Sequence, residues 1–300
     1  MARRERGVPV DGLYGGIGID PDDAERAMSE LGERLTVEFS ERQRLRDQLA
    51  APMRAYRGPL LKVVSEDEQA AGAVSELRRL QTAARKARVS RPRIRKVEGG
   101  IFSGSIGATV PPPYNYRWTW SAVSGTPDDN SESADNTAGT MAYDLWADFN
   151  NSSSVSGRAA VGIYFYPPMQ SGSLQIWSTP AFNDDWGTWC TLDSAHADGW
   201  IGLYVGSYDL TGAPTGAVVD QQITLWSDDS WWSGAGEHKG SNSGYALHAG
   251  PIQVDQNHQY MIWVWCGGDV SAAGWGTFSG SGAGEDMNVS IPSITWELRC

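Results

Sequence analysis

Two hydrophobic periodicities divide this chain. Between Asp20 and Val89, apolar residues recur every three or four positions, as on one face of a helix. From Tyr114 onward they alternate with polar ones, as on a half-buried strand. Asp20-Pro21-Asp22-Asp23 predicts a helix start: Asp20 caps, Pro21 suits the first helical position, and the acids favour the positive end of the dipole. The helix is expected over Pro21–Leu49, with Ala24, Met28, Leu31, Leu35, Phe39, Leu45 and Leu49 as a stripe that begins at heptad-like intervals and then drifts. Pro52 and Gly58-Pro59 are expected to end it, leaving Leu60–Val64 as a connector.

Ser65 and Glu68 fit a capping box, in which each side chain satisfies the other's orphan amide. The second helix runs to about Val89 and places Ala70, Ala73, Leu77, Leu80, Ala84 and Ala87 on a heptad seam. So short and small-sided a seam is unstable alone. Ala73, Leu77, Leu80 and Ala84 are therefore expected to pack against identical stems, with a trimer favoured. The alternative is a hairpin folded on itself or onto the head. Arg91-Pro92-Arg93 stops the helix, and a Gly/Ser-spaced run ending in three prolines at 111–113 reads as an extended neck. The expected organisation is a flexible arm (1–19), a helical, partly coiled-coil stem (20–90), a neck (91–113) and a β head (114–300).

In the head, alternating runs are separated by Gly, Asn, Asp and Ser: Tyr114–Val123, Thr140–Phe149, Arg158–Tyr166, Leu174–Ser178, Trp186–Leu192, Gly199–Tyr208, Ala217–Trp226, Gly244–Val254, His258–Cys266, Ala273–Phe278 and Met287–Leu298. Their number and shortness predict an antiparallel β-sandwich or jelly roll. Residues 126–137, nearly free of apolar side chains, read as a mobile surface loop.

Several strands carry two apolar faces. Ile201, Leu203 and Val205 oppose Trp200, Tyr204 and Tyr208; Ile262, Val264 and Cys266 oppose Met261, Trp263 and Trp265. Tyr143, Leu145 and Ala147 face inward and leave Asp144 and Trp146 outside, whereas Trp118 and Trp120 are expected in the core. One core cannot take both faces of a strand. A second buried surface is therefore expected, either a subunit interface or a ligand face that includes Trp200 and Tyr204.

Composition sharpens the division. All fourteen tryptophans lie between Trp118 and Trp296. Residues 1–99 hold 20 Lys and Arg against 16 Asp and Glu, a net of +4, while residues 100–300 hold 4 against 20, a net of −16. Such a head repels phosphate backbones, and the stem's charges alternate in sign, so nucleic acid is excluded as a partner. Apolar runs such as Tyr260–Cys266 are too short to span a bilayer, and no membrane partner is expected. The N-terminus lacks a signal-type apolar core, which points to a cytoplasmic protein or one released by lysis or in a particle. Cys190, Cys266 and Cys300 have no zinc-ligand spacing; a Cys190–Cys266 disulfide stays open.

Two segments place carboxylates beside indoles: Asp184-Asp185-Trp186 and Asp228-Asp229-Ser230-Trp231-Trp232. Read as rim loops, they combine flat stacking partners with hydrogen-bonding groups, the chemistry that holds sugars. The alternatives are Asx-turns or a calcium-stabilised loop, the latter a weak signal without EF-hand spacing; no other cofactor is expected. Catalytic signatures are thin. No HExxH, phosphate loop or nucleophile elbow occurs, and the four histidines are scattered. The layout of stem, neck and β head resembles that of homotrimeric fibre and receptor-binding proteins of phage-like particles. The expectation is a non-enzymatic structural or adhesive homo-oligomer whose head binds a surface glycan or protein. The alternatives are a purely structural assembly subunit and a glycan hydrolase using head aspartates.

Overall fold

A computed structural model describes residues 21–70, 72, 73, 76, 106–127, 129–147, 152–242, 246–273 and 280–299. One long helix, α1 (Pro21–Glu66), precedes twelve strands: β1 (Ile106–Val110), β2 (Tyr116–Ser124), β3 (Asp129–Asp135), β4 (Thr140–Ala147), β5 (Ser153–Phe165), β6 (Ser171–Ser178), β7 (Ala181–Asp209), β8 (Pro214–Asn242), β9 (Leu247–Asp255), β10 (His258–Ala272), β11 (Gly280–Ser290) and β12 (Ile294–Arg299). The expected arm, most of the neck and the Ala273–Phe278 strand fall largely or wholly outside the described residues.

The strands form two sheets, ordered β1-β12-β6-β9 and β2-β5-β10-β7-β11-β4-β3, with β8 pairing β7. The described pairings are antiparallel, so the head is a mainly antiparallel, sandwich-like β structure. Its organising element is the 29-residue β7 and its equally long partner β8. The first part of β7 pairs β11 and the second pairs β10, with a register irregularity between Thr191 and Ser194 where the ribbon turns. Thr188 hydrogen-bonds Asp228, although the ladder sets Asp228 opposite Ala197, so the ribbon's two halves fold over each other. Between them Leu145, Val161, Ile163, Ile201, Leu203, Ile262, Val264, Val289 and residues of the smaller sheet such as Leu174 and Ile294 form the main core.

The second apolar face is covered by the chain's own helix. Met28, with Leu31 beside it, packs over Tyr116, Trp200, Tyr204, Tyr208, Met261, Trp263 and Trp265, and Leu35 and Phe39 are buried further along α1, Leu35 near Trp118 and Trp265 and Phe39 near Ser121–Ser124 of β2. Each buried apolar side chain contributes about 1.5–3 kcal/mol of transfer free energy. Gly32 lets the helix approach β2: a Cβ there would stand 3.1 Å from Trp120 Cδ1. Trp118 and Trp120 thus lie half-buried beneath α1 rather than in the main core, and Trp120 Nε1 donates to Thr36 Oγ1 at 3.3 Å. Two ion pairs fasten the helix: Arg34 with Asp220, and Arg42 Nη1 with Asp269 Oδ2 at 3.2 Å.

Other sequence expectations are revised. α1 continues through Pro52 and Pro59, because proline's fixed φ is itself helical and its lost donor is a cost rather than a prohibition. Asp67, not Ser65, caps the next helical turns, accepting from the Gln69 and Ala70 amides at 2.9 and 3.1 Å. Ala73 is helical and exposed; Leu77, Leu80 and Ala84 lie outside the described residues. The polar segment expected as a mobile loop contains β3, paired with β4 throughout its length, where an edge strand tolerates polar side chains on both faces. Cys190 and Cys266 are buried and not bridged to each other, and burial pushes Cys266 up to about 12.

Candidate functional site

The two acid–indole segments are strands, not loops. Because successive side chains of a strand point to opposite faces, each segment is split. Asp184 and Trp186 take the inner side of β7 near its edge: Asp184 is buried with His238 Nε2 at 3.4 Å, and Trp186 packs against the core with the His238 ring 6.3 Å away. Burial raises the Asp184 pKa, opposed by His238. Asp185 points the other way and accepts from Lys239 Nζ at 3.0 Å. Asp228 turns inward to Thr188, while Asp229 holds His196 Nδ1 at 2.6 Å; His196 Nε2 meets Asp198 at 2.9 Å. The Trp231 and Trp232 backbones belong to β8, but their side chains lie outside the described ones. Trp200 and Tyr204 are 5% and 8% exposed beneath α1, so neither offers a ligand face. The seven expected residues whose side chains are described do not share one face.

The structure builds a different face. On β4, β11, β7 and β8 the core-facing residues include Leu145, Ala283, Glu285 and Thr188, which sends the intervening residues to the opposite, solvent side. One row there reads Asp144, Asp286, Asp185 and Lys239 across four neighbouring strands; the next reads Trp146, Gly284, Gly187 and Glu237. Trp189 stands opposite Gly282. The glycines leave room for the indoles to lie across β11: a Cβ on Gly284 would fall 1.7 Å from Trp146 Cε3, and one on Gly282 would fall 2.6 Å from Trp189 Nε1. Both indoles are partly exposed, roughly 7 Å apart at their points of contact along β11.

The carboxylate row is electrostatically loaded. Burial first, and then the neighbouring Asp185 and Asp144, push Asp286 up to about 6, with Lys239 opposing. Asn183 and Asn288, cross-strand partners, add amide groups to the same side. The surface therefore offers two flat apolar plates, carboxylate acceptors, amides and one ammonium group. Among the described residues no cluster of three or more His, Cys, Asp or Glu side chains is arranged to hold a metal ion.

Sequence alternation places Asp144 and Trp146 outward correctly. Trp189 and Asp286 escape it, although alternate glycines in Gly282-x-Gly284 are the trace of side chains lying across a strand.

No family model matches the chain, and no curated protein matches it. Among solved structures it is similar to TmCBM61 in complex with β-1,4-galactotriose, at 12% identity and a TM-score of 0.14, over 57% of this chain and 88% of that one. A likeness of that size transfers neither fold nor ligand, and the functional reading rests on this chain's own residues. Among the described residues no helix is long and apolar enough to cross a membrane.

Proposed function

We propose that the head is a non-catalytic glycan-recognition module whose binding face is the open side of β4, β11, β7 and β8. The observation that carries this reading is the pair of partly exposed indoles, Trp146 and Trp189, laid over Gly284 and Gly282 beside the row Asp144, Asp286 and Asp185. Pyranose rings present flat C–H faces that stack on indole and equatorial hydroxyls that donate to carboxylates. In the same proposal, residues 70–87 associate identical stems, favouring a trimer, and the whole serves as an adhesive or fibre component of a particle.

On a glycan array, full-length protein should retain specific ligands. The double change Trp146→Ala with Trp189→Ala should abolish retention while leaving the main core intact, since both rings lie on the outer side of the sheet. An array that stays blank, or a double variant that binds like wild type, refutes this reading.

One observation favours a second reading, glycan hydrolysis. Asp286, pushed up to about 6 by burial and then by the neighbouring Asp185 and Asp144, resembles the acid member of a carboxyl pair. Release of reducing ends from a retained glycan, lost in Asp286→Asn, would select it over pure binding.

A further inference from the structure

Along β11 the outward residues run Gly282, Gly284, Asp286 and Asn288. The first two lie beneath the indoles of Trp189 and Trp146, and Asp286 stands in register between Asp144 of β4 and Asp185 of β7. Alternate residues of a strand are about 7 Å apart, so a pyranose ring resting on Trp146 brings one edge to the carboxylate row. Charge on this side is one-sided. Asp144, Asp185, Asp286 and Glu237 share it with Asp129, the partner of Trp146 on β3. Among the described residues of these strands Lys239 is the one basic side chain facing the same way, and its Nζ is held by Asp185 at 3.0 Å. Burial, then Asp185 and Asp144, push Asp286 up to about 6, with Lys239 opposing. Carboxylates in register across strands repel one another, and a positive charge set among them turns that repulsion into attraction.

We propose that the glycan held on this face is an amino sugar chain, with a free ring amine beside Asp286 and Asp144 when its ring stacks on Trp146. This inference rests on the glycan face proposed above and names the class of sugar it selects. A ring ammonium is compact and carries three donors, so it can meet carboxylates on two neighbouring strands while the C–H face of the same ring stays on the indole. Acetylation removes the charge and leaves a single amide donor. Uronates and other acidic sugars bring a like charge to the row and are rejected.

Calorimetric titration of full-length protein at about pH 6.5 in low salt, with a glucosamine hexamer, its N-acetylated form and a galacturonate hexamer, tests the selection. The glucosamine chain should bind about tenfold or more tighter than the acetylated one, and the galacturonate chain should not bind. Asp144→Asn with Asp286→Asn should bring the two glucosamine chains to within about threefold of each other, and Trp146→Ala with Trp189→Ala should abolish both. If the aspartate variant does not fold, salt decides: the wild-type preference should shrink as sodium chloride rises from about 20 to about 500 mM, and a preference indifferent to salt overturns the proposal. A lysine hexapeptide that binds as tightly as the glucosamine chain means the face attracts any polycation, and overturns it. Equal affinity for the amine and acetylated chains overturns the amino sugar selection and leaves glycan recognition standing. Binding of none of the three chains overturns the selection as well, while the glycan array decides the wider reading separately.

Discussion

At the residue scale, the head places charge where it must be compensated. In register across β7, β10 and β5 stand Gly199, Gly268 and Gly157, and over them lie Trp226, Glu285 and Glu132. A Cβ on Gly268 would fall 1.5 Å from Glu285 Oε1, so the glycine is what admits this carboxyl to the core. Trp226 Nε1 donates to Glu285 Oε2 at 2.9 Å, while burial holds its pKa well above the carboxylate range. Glu132 is pushed up to about 7 by burial, opposed by a hydrogen bond with Ser121. An unfolded Glu132 titrates near 4.5, so between 4.5 and about 7 the folded state binds more proton and stability falls as pH rises. Melting temperatures should thus drop from about pH 5 to about pH 8, and Glu132→Gln should flatten that drop. An unchanged pH profile in the variant would show that Glu132 is not among the titrating groups.

At the element scale, the decisive feature is α1 on the aromatic face of β2, β5, β10 and β7. Leu35, 6% exposed, lies on α1 near Trp118 and Trp265. Leu35→Ala should cost about 2–4 kcal/mol in denaturant unfolding and raise binding of a hydrophobic dye as Trp200 and Trp263 become accessible. A loss below about 1 kcal/mol would mean the helix adds little to the head. Much of this was legible in the sequence. The stripe Met28, Leu31, Leu35, Phe39 and the two-sided apolar strands at 200–208 and 261–266 both appear as spacing, and together they require a second buried surface. Which partner covers it was not legible, because a helix stripe matches its own head and a neighbour's equally well. The acid–indole segments were misplaced for a different reason. Turn-forming residues such as Asn183 and Asp184 carry local preference, but the long ladders with β11 and β8 override it. Once those segments are strands, alternation separates Asp185 from Trp186, and the ligand face must be sought across strands rather than along one.

At the scale of the whole molecule, the helix fastens to the head through Met28–Arg42 and then continues for 24 residues, from Gln43 to Glu66. That continuation is on the order of 35 Å of helix, on which Leu45 and Val63 are 51% and 66% exposed. Because α1 already covers the aromatic face within one chain, the proposed assembly falls to the residues that follow. Full-length protein should be oligomeric by light scattering, with a trimer favoured, and Leu77→Glu with Leu80→Glu should dissociate it, since charge in an apolar seam costs several kcal/mol. A monomeric wild type at micromolar concentration would remove the assembly half of the proposed function and leave the head's binding face untouched.

The proposed glycan face is the open side of β4, β11, β7 and β8. Hydroxyl-radical footprinting of full-length protein, with and without a glycan retained on the array, addresses it most directly. The ligand should protect Trp146 and Trp189 from oxidation and leave the reactivity of Trp186, Trp200 and Trp263 unchanged. Protection that falls on Trp186 or on the residues under α1, with Trp146 and Trp189 as reactive as before, would contradict it.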